Sequence, residues 1–384
     1  MTAPALATRC TVTRLRLYQF RNYTEALLQL GPSLNVIAGS NAQGKTNLLE
    51  AIATLTLTRS PRTSSAVDLI AWGADRCAVE ATVVRAPVED VLSLQLQRSP
   101  DTGRVLRSTT VDGKPRPARA LLGVAPLVMF WPEDLQLVKA GPDGRRRLLD
   151  TLLAQLDPRA AAHLVRYRRV LEQRNAMLHR MRLEGRTGAE LAGFTRELAH
   201  HGGRVTVARA QLLSELLPLA AAALRELTSG AEALDLRYVA SYGGAVDDDD
   251  RAERDLRAAL DARAAEELAR GVTVAGPHRD DVDIQLEGRP ARSASSQGQQ
   301  RTIVLACKLA EMRCIARRTG TAPVVMLDDV LSELDRQRRS DLLRVLSSEA
   351  GQVLVTTTEA LAGLEGFTDV RHFTVVSGTV SRAD

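Results

Sequence analysis

The chain has 384 residues, 45% hydrophobic and 25% charged, which is enough for two or three compact units and too apolar for a disordered chain. Its net charge of +5 favours a polyanionic partner, but only four of the 51 basic residues are Lys, an Arg bias that a GC-rich genome produces equally well. Aromatics at 3% argue against a single-strand binder built on stacked bases, and the spacing of Cys10, Cys77, Cys307 and Cys314 argues against a zinc knuckle or a disulfide framework.

The first third reads as strand-rich. Residues 11–20 alternate apolar and polar. Leu34–Ala38 is a short apolar run that ends in a Gly-containing loop, and a helical pattern starts at Thr46. Residues 91–97 and Val105–Val111 flank the turn Ser99-Pro100-Asp101-Thr102-Gly103 and predict a hairpin, with a further turn at Asp112-Gly113.

The middle third reads as helical. Leu164, Val165, Leu171, Met177 and Leu178 recur at near-helical spacing, as do Leu191, Phe194 and Leu198. Leu256, Leu260, Ala264 and Leu268 mark one last helix, and Gly202-Gly203, Pro218 and Gly230 read as breaks. Adjacent His200 and His201 would point about 100° apart on a helix, which argues against a metal site. Asp247–Asp250 reads as a solvated loop leading into a helix.

The last third alternates again: a helix over residues 299–317, a strand over 323–327, a helix through 341–346, and strands over 352–356 and 371–376. Such alternation predicts a sheet covered by helices. The expected fold is α/β, one head assembled from both ends of the chain (residues 1–125 and 270–384) with a helical lobe inserted at 126–269. No apolar run approaches the roughly 20 residues that span a bilayer. The N-terminus lacks the order of a signal peptide, so the expected location is the cytoplasm, without a membrane.

Three motifs carry chemistry. Gly39-Ser40-Asn41-Ala42-Gln43-Gly44-Lys45-Thr46 fits G-x-x-x-x-G-K-[ST] between a predicted strand and a predicted helix. Its backbone amides can wrap phosphates, Lys45 can reach the β- and γ-phosphates, and Thr46 can ligate Mg²⁺. Ser296-Gln297-Gly298-Gln299-Gln300 opens a helix. Its S-x-G-Q core resembles the signature of ATP-binding-cassette enzymes, in which Ser296, Gly298 and Gln299 would close over the γ-phosphate of a partner's nucleotide. Read alone, it is equally a polar helix start. Val324-Val325-Met326-Leu327-Asp328-Asp329 is an apolar strand ending in two acids, with Asp328 assigned to Mg²⁺ and Asp329 to the general base.

Roughly 250 residues separate the glycine loop from the Ser296 motif, and that order of loop, compact helical insert, signature and acidic strand, with no long heptad run, resembles the RecF family of bacterial recombination mediators. Further segments agree. Leu15–Tyr23 looks like the family's N-terminal strand, in which Arg21 and Asn22 would approach the nucleotide. Phe130-Trp131-Pro132-Glu133-Asp134-Leu135 looks like F-x-P-E-D-L, Gly144–Asp150 like the R-R-R-x-L-D run, and Gly276-Pro277-His278-Arg279-Asp280-Asp281 like G-P-H-R-D-D. Pro61 departs from the His expected there. Thr356-Thr357-Thr358 stands where a transporter cassette carries its switch His.

The resemblance implies a slow, DNA-dependent ATPase using ATP and Mg²⁺, with Lys45 and Asp329 catalytic, and an ATP-dependent homodimer. It also implies binding to double-stranded DNA at gaps and single-strand/double-strand junctions, and work with RecO and RecR in loading RecA. In this family Asp335 belongs to the dimer interface, although it equally reads as a helix start. Arg145–Arg147 and Arg166, Arg168 and Arg169 read either as solvated helix faces or as DNA contacts, and His278 as a structural cap or a site residue. The rivals are a chromosome-organising clamp, a transporter ATPase subunit and a metabolic P-loop kinase.

Overall fold

The computed structural model describes residues 8–383 apart from 185–187, 229, 231 and 360. The chain forms two compact units, one of residues 1–135 with 308–384 and one of residues 136–307.

The first unit holds two sheets. In the antiparallel one, Thr8–Phe20 pairs with Tyr23–Gln29 on one side and Arg76–Arg85 on the other, and Val88–Arg98 and Val105–Val111 follow. In the second sheet Val370–Val376, Leu34–Ala38, Gln352–Thr357, Val324–Asp328 and Leu127–Phe130 lie side by side and parallel. Four of these strands are almost wholly buried, as parallel strands covered on both faces are.

Helix Lys45–Thr56 lies between the sheets. Leu48, Leu49, Ile52 and Leu55 share one core with Leu15, Leu17, Val79 and Leu94 of the antiparallel sheet and with Ile37, Met326 and Leu354 of the parallel one. Ten of the helix's twelve residues are buried, Glu50 and Thr54 among them, so it is enclosed on nearly every side.

The second unit is built on helices Pro142–Leu156, Pro158–Glu184, Ala192–Thr228 and Asp249–Ala262. It departs from the sequence reading in three respects. Gly202, Gly203 and Pro218 lie inside one 37-residue helix rather than breaking it. A Cβ on Gly203 would stand 2.6 Å from the backbone N of Glu253, and one on Gly202 2.5 Å from Leu256 Cδ2, so these glycines permit close approach of a neighbouring helix. The expected last helix is two, Asp249–Ala262 and Ala264–Arg270. The boundary expected at 269/270 also differs from these units, because Asp281–Leu286 pairs antiparallel with Leu234–Val239 and so joins residues 270–307 to the helical unit. Among the described residues, Ala192–Thr228 is the one helix long and apolar enough to cross a membrane by length and composition, and 50% of its most apolar window is buried within the chain.

A buried ion pair pins this unit. Arg174 donates from Nη2 to Glu267 Oε2 at 2.6 Å and from Nη1 to Thr273 Oγ1 at 2.8 Å, with both charged side chains at most 2% exposed. Arg174→Met should lower the unfolding free energy of this unit by about 3–5 kcal/mol, because it strands a buried carboxylate without its cation. Urea denaturation checks it, and a loss under about 1 kcal/mol would mean that the carboxylate finds another partner.

Candidate nucleotide site

The parallel sheet brings the first and third motifs together. Leu34–Ala38, Gln352–Thr357 and Val324–Asp328 are neighbours with the registers Ala38↔Thr357 and Thr356↔Asp328, so the glycine loop and the acid pair emerge at the same edge. Ligands of open parallel sheets bind at this carboxyl-end edge.

The loop's shape depends on its glycines. Gly44 caps the helix at φ 115°, and a Cβ there would meet Asn22 Nδ2 at 2.5 Å. A Cβ on Gly39 would stand 2.5 Å from the carbonyl oxygen of Val375, a backbone atom that cannot step aside. Lys45, 7% exposed, folds back so that Nζ donates to the carbonyls of Gly39 at 2.6 Å and Ser40 at 3.0 Å. Burial pulls its pKa below the ordinary lysine value, and the carboxylates of Asp329 and Asp328 oppose that shift.

The two acids occupy different environments. Asp328 is buried, and its Oδ1 accepts from Thr46 Oγ1 at 2.9 Å and from Thr356 Oγ1 at 2.7 Å. Burial pushes its pKa up, and the two threonine hydroxyls pull it down. Asp329 sits in the left-handed region at φ 53°, its N–H donated to Thr356 Oγ1 at 2.9 Å. Its carboxylate is partly exposed and makes no hydrogen bond or ion pair among the described residues. Thr356 thus links both acids. Sequence reasoning registered it only as the absence of a switch His.

Asn22 and Tyr23 reach the loop from the turn after Thr8–Phe20, whereas Arg21 turns away from it. Asn22 Nδ2 donates to the Gln43 carbonyl at 2.9 Å, and Tyr23 Oη to the Gly44 carbonyl at 2.9 Å. The Arg21 guanidinium bonds to buried Glu50 and to the Asp68 carbonyl. Ser377 N and Gly378 N donate to Gln43 Oε1 and O, a brace from the other side.

The Ser296–Gln300 motif lies in the other unit. Gln299 N donates to Ser296 Oγ at 3.2 Å, and Ser296 N to Gln299 Oε1 at 2.8 Å. This reciprocal capping box starts helix Gln297–Thr319. Two further motif acids also cap helices: Asp335 accepts from Arg338 N, and Asp248 from Arg251 N.

Several candidate residues of the second unit have structural partners. Arg145 is 7% exposed and paired with Asp281, Arg146 donates to the Asp280 carbonyl, and Arg168 pairs with Asp150. Arg147, Arg166 and Arg169 are exposed. The rings of His278 and Tyr167 meet at 2.6 Å from Nδ1 to Oη, and His278 Nε2 lies 3.1 Å from the Thr273 carbonyl. Burial lowers the His278 pKa to about 4, so it stays neutral at physiological pH. His201 meets His163 at 2.9 Å, a neighbour that sequence adjacency could not reveal. Among the described residues no group of three or more His, Cys, Asp or Glu is arranged to hold a metal ion.

Known proteins resemble the chain along almost its whole length. The RecF/RecN/SMC N-terminal domain matches residues 11–365. The "DNA replication and repair protein RecF" of Chloroflexus aurantiacus is 40% identical, covering 96% of this chain and 99% of that protein. The protein of the same name from Geobacter sulfurreducens is 38% identical over 94% and 97%. A solved structure of the recombination mediator protein RecF with ATP, from the RecFOR pathway, superposes with a TM-score of 0.85 at 30% identity, covering 98% of each chain. The Smc head domain of Pyrococcus furiosus, at 15% identity and a TM-score of 0.53, shares the fold. The fold is that of an ATP-binding-cassette-type ATPase head carrying a helical insert.

Proposed function

From the premise that the chain belongs to the RecF family of DNA replication and repair proteins, we propose that it is a slow, DNA-dependent ATPase that dimerises on ATP in the cytoplasm. It binds double-stranded DNA at gaps and single-strand/double-strand junctions, and it works with RecO and RecR in loading RecA. The observation that carries the nucleotide reading is the meeting of Thr46 with Asp328 beside Lys45, with the Asp329 carboxylate unbonded among the described residues.

The substrate is ATP. Gly39, Ser40, Asn41, Ala42, Gln43 and Gly44 offer backbone amides to its phosphates, and Lys45 adds the cation. Thr46 and Asp328, whose hard oxygens lie 2.9 Å apart, would hold Mg²⁺. When bound there, Mg²⁺ would neutralise phosphate charge. Asp329 accepts the proton of the attacking water and holds that water toward the γ-phosphate. Asn22 sets the rim of the loop.

Hydrolysis completes in a dimer, where Ser296, Gly298 and Gln299 of one chain close over the nucleotide on Lys45 of the other. ATP then acts as interface glue, and turnover as the release timer. DNA contact falls to exposed cations such as Arg147, Arg166 and Arg169.

Sedimentation velocity with ATP, ADP and no nucleotide tests this reading, and the dimer should form with ATP alone. Ser296→Arg should bind ATP as the wild type does yet stay monomeric, because a bulky cation blocks the partner's closure. Ser296→Ala separates the loss of the helix cap, worth about 1 kcal/mol, from that block. A Ser296→Arg protein that dimerises with ATP normally would overturn the trans arrangement.

A further inference from the structure

Glu50 lies in the helix that follows the phosphate loop and is completely buried. Its carboxylate fills all of its roughly four acceptor positions. Arg21 donates from Nε at 2.9 Å and from Nη2 at 2.7 Å, Ser60 Oγ at 2.6 Å and Arg62 Nη1 at 3.1 Å. A fully buried acid gripped by two guanidiniums is expensive to desolvate, so it invites a question about what the two arginines are held for.

Both lead back to the loop. Arg62 Nη1 also donates to Asn47 Oδ1 at 2.8 Å. Asn47 Nδ2 donates to Asn22 Oδ1 at 2.9 Å, and Asn22 Nδ2 to the Gln43 carbonyl at 2.9 Å. The chain of bonds from Glu50 to the backbone of the phosphate loop is unbroken. The second arm is covalent. Arg21 precedes Asn22 and stands at φ 56°, in the left-handed region, with its guanidinium tied to Glu50 and to the Asp68 carbonyl. The two arms together orient the Asn22 amide, the group that also lies against Gly44 where a Cβ would collide.

We propose that Glu50 is a positioning residue, which sets the phosphate loop in its binding shape before nucleotide arrives by orienting Asn22 through Arg21 and through Arg62 and Asn47. The proposal rests on the nucleotide reading above. A carboxylate is required because every neighbour donates. Gln at this position would offer one acceptor oxygen and turn an amide N–H₂ toward two guanidiniums.

The test uses the full chain without nucleotide. Hydrogen exchange of the amides of residues 39–45 should be faster in Glu50→Gln and in Asn47→Ala than in the wild type. ATP affinity by calorimetry should fall about tenfold in each, the scale of one charge-assisted bond. The double variant should be no weaker than Glu50→Gln alone, since the arm that Asn47→Ala cuts also starts at Glu50. Asn47 is only partly buried, so Asn47→Ala carries the test if Glu50→Gln does not fold. Wild-type exchange across residues 39–45 in a folded variant overturns the proposal. So do losses that multiply to about 100-fold in the double variant, which would mark independent sites. A wild type that fails to bind ATP would sink the nucleotide reading, and the exchange comparison would still decide the relay.

Discussion

Asp329→Asn should bind ATP and dimerise as the wild type does, yet lose turnover by at least about 100-fold, the usual worth of a general base. Asp328 Oδ1 is occupied by two threonine hydroxyls, whereas Asp329 keeps both carboxylate oxygens unbonded among the described residues. The two acids diverge because the backbone turns between them. Asp329 takes a left-handed conformation that Asp tolerates better than most residues, and its N–H is pinned by Thr356. The Asn variant preserves shape and removes only proton acceptance, so its dimers should outlive the wild type on DNA. Asp328→Asn should instead weaken the Mg²⁺ dependence and the nucleotide affinity. Phosphate release measured beside dimer lifetime distinguishes the two, and wild-type turnover in Asp329→Asn would place the base elsewhere.

Lys45→Met should reduce ATP affinity by at least about 100-fold, since it removes several charge-assisted bonds to phosphate at once. The ammonium of Lys45 is already desolvated and held over the loop by the carbonyls of Gly39 and Ser40. Little reorganisation separates that pose from a phosphate contact, so most of the interaction should appear as affinity. The same two bonds hold the loop closed without ligand, and thermal unfolding of the variant should accompany calorimetry. A folded Lys45→Met protein that binds ATP like the wild type would remove the phosphate-binding role from the loop.

Local pattern carried much of the architecture. Strand Leu34–Ala38 has the bounds expected from sequence, and Val88–Arg98 encloses the expected residues 91–97. Apolar run, glycine loop and helix start are all local signals, each set by backbone sterics and burial within a few residues of itself. The phosphate loop and the acid pair were legible for that reason. Their meeting across 282 positions of sequence was an expectation until Thr46 and Asp328 stood 2.9 Å apart.

What the tertiary structure alone decided is the partner of each polar group. Gly202-Gly203 resembles a helix break in one dimension, and only the neighbouring helix, closer than a Cβ allows, explains two glycines in mid-helix. Arg145 and Arg147 sit two apart in one basic run, yet the first is buried against Asp281 and the second faces solvent. Strand Leu234–Val239 was invisible because its pairing partner lies far along the chain. Glu50 carried no motif, and Thr356 was legible only as the absence of a switch His. Periodicity reports which way a side chain faces. Whether a charge there is solvated, paired or poised for chemistry depends on long-range contacts, and those are fixed only when the chain folds.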